Sequence, residues 1–247
     1  MKNTITKPTF REVVAVTTME LPDVNLIFNA QRIGPMNFND LRNADYGKGF
    51  GMPIASELVP LVYASLENKE YETAKNVIKT MKDYWLTGDT AVYYLPEGMF
   101  VQDNPRMENG KIITPNYKTL ENKLGKHEER GVVFSDDKSI RFTPYNYKRE
   151  SQSALELSKN TGVIALFGGE ENAEKLAMSS EHYNLKPYFW ALFNVNSPET
   201  RVVGLCSGRL LGGGRLNVGG DYWDDVSNGF AFGVLRSREA TEPLQKD

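Results

Sequence analysis

The sequence predicts an α+β domain in which two main helices pack on a mostly antiparallel sheet, with long loop insertions. Three observations predict it. Two segments repeat their apolar residues at helical spacing, and many short β-branched or aromatic runs are separated by Gly, Pro, Asn and Asp. No internal repeat and no break in composition divides the 247 residues.

Taken in order, Arg11–Thr18 (REVVAVTT) is β-branched and suits a strand, and Val24–Phe28 (VNLIF) offers a second. Asn, Asp and Gly crowd the stretch from Gly34 to Gly51, which reads as loop. A helix opens at Met52–Leu58 with Ser56 as N-cap, carrying the stripe Leu58, Leu61, Val62 and Leu66. Pro60 lies near its start, where it is tolerated or kinks the helix. A second helix is expected over about Lys69–Trp85, with Ala74, Val77, Ile78, Met81 and Trp85 on one face. Ala91–Gln102 reads as a hairpin around Pro96-Glu97-Gly98, and Asp103–Lys126 as the least structured stretch. Val132–Phe134 and Ile140–Thr143 flank a second hairpin. Gly162–Phe167 (GVIALF) reads as a short buried strand, followed by a helix over Glu170–Ser179 with Ala173, Leu176 and Ala177 inward. Tyr188–Phe193, Arg201–Leu205 and Gly229–Leu235 complete the sheet, the first two as central strands.

Composition removes several function classes. A net charge of −3 and a pI near 5.6 argue against nucleic acid as the partner. No apolar run approaches the roughly 18 residues of a membrane helix, so no membrane insertion is expected. The start MKNTITKPTF lacks an apolar core, and no signal peptide is expected. One cysteine, Cys206, excludes internal disulfides and multi-Cys zinc sites.

The usual catalytic constellations find little support. His127 and His182 are the only histidines, and neither sits in a pattern for Ser-His-Asp or Cys-His chemistry. Gly212-Gly213-Gly214 lacks the Lys-Ser/Thr ending of a phosphate loop. Asp221, Asp224 and Asp225 beside Trp223 lack EF-hand spacing and read as a solvated acidic turn. The aromatic runs Tyr93-Tyr94 and Tyr188-Phe189-Trp190 read as core. No catalytic residue, metal or cofactor is expected.

The last fifth of the chain is different. The 39 residues from Thr200 to Arg238 contain no Lys, Glu, Gln or Met, although the chain holds 17, 20, 4 and 8 of them. At about one residue in five, seven or eight would be expected there. The same window carries 9 of the 21 glycines, all but Gly204 within GRLLGGGRLNVGGDYWDDVSNG and GFAFGVL. Surface segments ordinarily use Lys and Glu freely. Randomising both adenines of an AAY codon gives NNY, which encodes Gly, Asp, Arg, Ser, Asn, Tyr, Cys and Val. It never encodes Lys, Glu, Gln, Met, Trp or a stop. Apolar Leu210, Leu211, Leu216, Val218 and Trp223 are interleaved as candidate anchors, and Leu216 and Val218 alternate with Asn217 and Gly219 as along a strand. Leu211, Leu216, Val218, Trp223, Phe230 and Phe232 are expected to be buried, and the polar and glycine positions between them to face solvent.

Three segments together resemble the C-type lectin fold in its disulfide-free prokaryotic and viral form. GFGMPIASELVPL (Gly49–Leu61) is similar to the helix entry of that superfamily, LFGGEENAEKLA (Leu166–Ala177) to its second helix, and Arg209–Leu235 to a loop-rich insert ending in Gly-Phe-x-Phe-Gly-Val. The last segment resembles the variable region of diversity-generating retroelement target proteins of the archaeal and archaeal-virus type. In those, a reverse transcriptase rewrites template adenines and scatters substitutions over a ligand-binding face. The resemblance implies one C-type-lectin-like domain over 1–247, with 1–40 as an N-terminal strand extension and 200–238 as the variable region. It implies ligand-binding positions at Cys206, Gly208, Arg209, Gly212, Gly213, Arg215, Asn217, Gly219, Gly220, Asp221, Tyr222, Asp224, Asp225 and Ser227. The implied partner is an unknown protein or glycan on a host or target cell surface, and the implied location is a virion or cell surface. The calcium signatures of animal C-type lectins are lacking, with Trp223-Asp224-Asp225 at the nearest point, and so is the cysteine pair of formylglycine-generating enzymes. Two other readings stay open: an enzyme using carboxylates from Asp103–Lys126 and the C-terminal loops, or a structural virion component.

Overall fold

A computed structural model describes residues 8–13, 18–208 and 214–236. The N-terminal β-branched run is not one strand. β1 (Arg11–Val13) turns back onto β2 (Thr18–Leu21), with Val13 opposite Thr18. A 3-10 turn at Pro22–Val24 then delays the next strand, and β3 runs from Leu26 to Met36, into the stretch read as loop. That stretch also contains α1 (Phe38–Arg42), because Asn37 caps it by accepting from the Asp40 N–H at 2.9 Å.

Helix α2 (Ala55–Glu67) buries nearly every side chain it has. Ser56 is its second residue and not its cap. Ile54 holds the cap position, where its N–H donates to Glu57 Oε2 at 2.8 Å. Pro60 lies inside the helix and removes the donor that Ser56 O would receive. Asn172 Nδ2 stands 3.4 Å from that carbonyl and supplies the missing partner from outside. Helix α3 (Glu72–Asp83) stops short of Trp85, which instead opens β4 (Trp85–Leu95). β4 and β5 (Gly98–Asp103) form the expected hairpin, joined through Pro96 and Glu97 with Leu95 opposite Gly98.

The stretch 103–126 is more ordered than its composition implies. It folds into a small ladder of β6 (Met107–Glu108) and β7 (Lys111–Ile112), then α4 (Tyr117–Glu121). Buried Ile112 and Leu120 account for this. β8 (Leu124–Glu129), β9 (Val132–Ser135) and β10 (Ile140–Pro144) follow as a meander, and β10 pairs with β5.

After β11 (Glu150–Ser151) come α5 (Ala154–Ser158), α6 (Thr161–Phe167) and α7 (Glu170–Ser180). Helix α6 overturns the expectation of a strand at GVIALF. All six of those residues are buried, so no periodicity reaches the sequence, and the ends decide. Asn160 caps the start by accepting from Gly162 N at 3.0 Å, and Gly168 ends the helix at φ 78°, where glycine is unstrained.

β12 (Tyr188–Trp190), β13 (Glu199–Cys206), β14 (Asn217–Tyr222) and β15 (Gly229–Arg236) complete the sheet. Its main path is β1-β2-β3-β15-β4-β13-β14-β12-β11, with β5, β10, β9 and β8 branching from β4. Pairing is antiparallel except at β15–β4 and β12–β14. β12 therefore lies near one end of the sheet and spans three residues, where a central strand was expected.

Both faces of the sheet are covered. One carries α2, α3 and α5–α7, whose Leu58, Val62, Val77, Ile164 and Leu176 meet Leu86, Val203, Leu205 and Val218. The other carries α1 and the 103–126 segment, whose Phe38, Leu41, Ile112 and Leu120 meet Tyr93, Val202 and Ala231. Each fully buried large apolar side chain is worth roughly 1.5–3 kcal/mol over an exposed one. Polar links tie the layers. Arg141 grips Asp103 in two bonds of 2.7 and 2.8 Å, Thr90 Oγ1 donates to Asp103, and Ala55 N donates to Thr90 Oγ1. Arg236 grips Glu57 in the same two-bond manner.

Candidate functional site

β13, β14 and β15 are central strands, and this sorts the candidate positions. Cys206 ends β13 and is buried; burial pushes its thiol up to about 11, which leaves it unreactive. Asn217 is fully buried, and its Oδ1 accepts from Trp190 Nε1 at 3.2 Å. Gly219 and Gly220 are buried on opposite sides of β14. A Cβ at Gly219 would stand 2.8 Å from the Trp85 ring, and one at Gly220 would stand 2.7 Å from Leu166 Cδ1. These four positions cannot show a side chain to solvent, contrary to expectation. Their small or polar character is a packing requirement.

Among the expected anchors, Leu216, Val218, Phe230 and Phe232 are buried. Trp223 is not; it is 53% exposed, lying just past the end of β14 with the Arg201 guanidinium 3.5 Å from its ring centroid. Arg209, Gly212 and Gly213, with Leu210 and Leu211, lie outside the described residues.

The remaining positions do reach the surface. Gly208 and Arg215 are half-buried, and Arg215 lies 5.9 Å from the Tyr188 ring centroid. Asp221 and Tyr222 are half-buried. Burial raises the Asp221 carboxyl, opposed by its own backbone N–H and by Arg201 and Arg149. Tyr222 packs against Trp85, with ring centroids 5.5 Å apart. Asp225 and Ser227 are exposed, and Asp224 is half-exposed. The Asp224 carbonyl accepts from Phe38 N at 3.0 Å, which fastens the β14–β15 loop to α1.

That contact frames a cleft of about 320 Å³, lined by Asn37, Asn39, Lys111, Trp223, Asp224 and Asp225. Its volume falls at the lower end of the range for small-ligand sites. Among the described residues, no ion pair joins Lys111 to either aspartate, and no group of three or more His, Cys, Asp or Glu is placed to hold a metal. Sequence reasoning missed Asn37, Asn39, Lys111 and Arg201. Asn37 and Asp40 stand at the spacing of a helix N-cap and its third residue, and that signal could have placed α1. Arg201 at the head of an apolar strand was a second signal. The aromatic run at Tyr188–Trp190 is split: Phe189 is core, while Tyr188 and Trp190 are half-buried and stacked 4.2 Å apart.

A solved structure from work on the accommodation of massive sequence variation in Nanoarchaeota by the C-type lectin fold is similar to this one. The likeness covers 83% of this chain and 95% of that one, with a TM-score of 0.50 and 13% sequence identity. The chain has a C-type lectin fold. At that identity the likeness bears on architecture alone. No protein-family model and no curated protein sequence matches the chain. Within the C-type lectin fold, α2 packs on α7 as expected, but the helix that joins α2 against β4 and β13 is α3, which is longer than α7; α7 packs on α2, α5 and α6, and Cys206 is single, so no disulfide is present.

Proposed function

We propose that this protein binds a ligand on a host or target cell surface through its C-terminal loops, and that adenine-directed mutagenesis diversifies those loops. Recognition rather than catalysis is the proposed role. The observation that carries the reading is the Lys/Glu/Gln/Met-free window, which supplies Trp223, Asp224 and Asp225 to the cleft. Burial accounts for part of that depletion, since more than half of the window lies in β13, β14 and β15. The proposal therefore narrows to the connections, residues 207–216 and 223–228. There the chain uses Ser, Gly, Arg, Asp and Asn, the adaptable residues of binding loops, beside one rigid exposed tryptophan. The placement of the imidazole and thiol side chains, which often serve in catalysis, supports a binding role. His127 and His182 are surface residues paired with Glu129 and Glu67, each at 2.8 Å, and the Cys206 thiol is buried.

Sequencing the DNA around the gene tests the proposal. A near-identical repeat that differs from the gene only at adenines, beside a reverse transcriptase gene, is the expected finding. A gene flanked by no such repeat, with loops invariant among sibling isolates, would overturn it.

A further inference from the structure

The geometry points to a specific occupant of the cleft: the guanidinium of an arginine presented by a protein ligand. The inference rests on the proposed binding role of this loop and names the chemistry it recognises.

Three features select a cation with many donors. First, the cleft carries two carboxylates against one ammonium, Asp224 and Asp225 against Lys111, and these form no ion pairs with one another. Second, its amides are already spending donors. Asn37 Nδ2 donates to Asp40 Oδ2 at 2.9 Å, and Asn39 Nδ2 approaches Asp40 Oδ1 at 3.4 Å. The amide oxygens are engaged as well, Asn37 Oδ1 by Asp40 N at 2.9 Å and Asn39 Oδ1 by Asn43 Nδ2 at 3.1 Å, so the charged groups left to meet a visitor are the Asp224 and Asp225 carboxylates and the Lys111 ammonium. Third, Trp223 presents an aromatic wall that already holds one guanidinium, that of Arg201, and leaves 53% of its surface open. Tryptophan is the best aromatic partner for a cation. A planar guanidinium can lie on the ring while its edge meets a carboxylate in two parallel bonds, which an ammonium cannot do.

The test follows the Trp223 indole N–H signal by NMR in the full chain, assigned from its loss in Trp223→Phe. The probes are acetyl-arginine amide, its neutral isostere acetyl-citrulline amide, and methyl glucoside. The arginine probe is expected to shift the signal saturably, and citrulline to bind about tenfold more weakly or not at all. Asp224→Asn/Asp225→Asn should weaken the arginine probe by about tenfold, and raising salt should weaken it further. Lys111→Ala should tighten it, an effect that a merely structural lysine would not produce. An unmoved signal, equal binding of citrulline, or a shift with the glucoside alone refutes the guanidinium site. If the gene nevertheless carries the adenine-patterned repeat, the recognition role survives and only the named occupant falls.

Discussion

Replacing Gly220 with alanine should destabilise the protein far more than any exposed-loop change, although both positions fall in the same glycine-rich segment. The added Cβ would lie 2.7 Å from Leu166 Cδ1 and 3.1 Å from Tyr94 Oη. Neither neighbour can retreat. Leu166 and Tyr94 are both fully buried, and the Tyr94 hydroxyl donates to the Gly220 carbonyl at 2.7 Å. Overpacking at such a site costs up to roughly 3 kcal/mol, and the stiffer unfolded chain offsets roughly 0.4–1 kcal/mol of it. The net loss is about 2 kcal/mol, a fall in Tm of roughly 4–8 °C for a domain of this size. Asp225→Ser, on the exposed loop, should stay within about 0.5 kcal/mol of the parent. Thermal melts followed by circular dichroism compare the two. A Gly220→Ala melt within about 1 °C of the parent, or a larger fall for Asp225→Ser, would show that β14 is not the rigid floor described here.

Three further outcomes are expected. Trp223→Ala should cost only about 1 kcal/mol, the worth of one exposed cation–π contact with Arg201, where a buried anchor would cost roughly 3 or more; denaturant melts decide between them. Asp103→Asn should cost roughly 3–5 kcal/mol by leaving the buried Arg141 guanidinium without its carboxylate, read in the same assay. Burial raises Asp89 to about 6, against the pull of Arg42 at 3.3 Å. The folded state then binds a proton more tightly than the unfolded one, so Asp89 contributes stability that is full below about pH 4 and lost as pH rises through about 6. The difference in unfolding free energy between parent and Asp89→Asn should therefore change by roughly 2 kcal/mol between pH 4 and pH 7.5, in favour of the parent at the acid end.

The sequence carried the architecture wherever an element was amphipathic or had a distinctive end. The apolar stripe of α2 and α3, the Pro-Glu-Gly turn between β4 and β5, and the inward alanines of α7 were all legible. Elements buried on every side were not, since α6 shows no period and only its caps Asn160 and Gly168 mark it as helix. The binding region was legible as a segment and misread residue by residue. Gly219 and Gly220 look like display positions because glycine is common in loops, yet each is small so that Trp85 or Leu166 can pack against the strand. Trp223 looked like an anchor because tryptophan usually is one, yet it stands exposed past the end of β14, with Arg201, 22 positions earlier, against its ring. Such long-range partners leave no local trace. The rest of the cleft, Asn37, Asn39, Gly110 and Lys111, comes from segments that read as plain loop.

The most direct test of a fixed scaffold with a substitutable rim is a pair of displayed libraries. One places NNY codons at Asp224, Asp225, Ser227 and Asn228, and the other at Asn217, Val218, Gly219 and Gly220; protease resistance then counts the folded clones. Most of the first library should remain folded, because its positions lie at the rim, and few of the second should, because its positions are buried in β14. Equal survival of the two libraries, or better survival of the second, would contradict the division between rim and floor on which the proposed recognition surface depends.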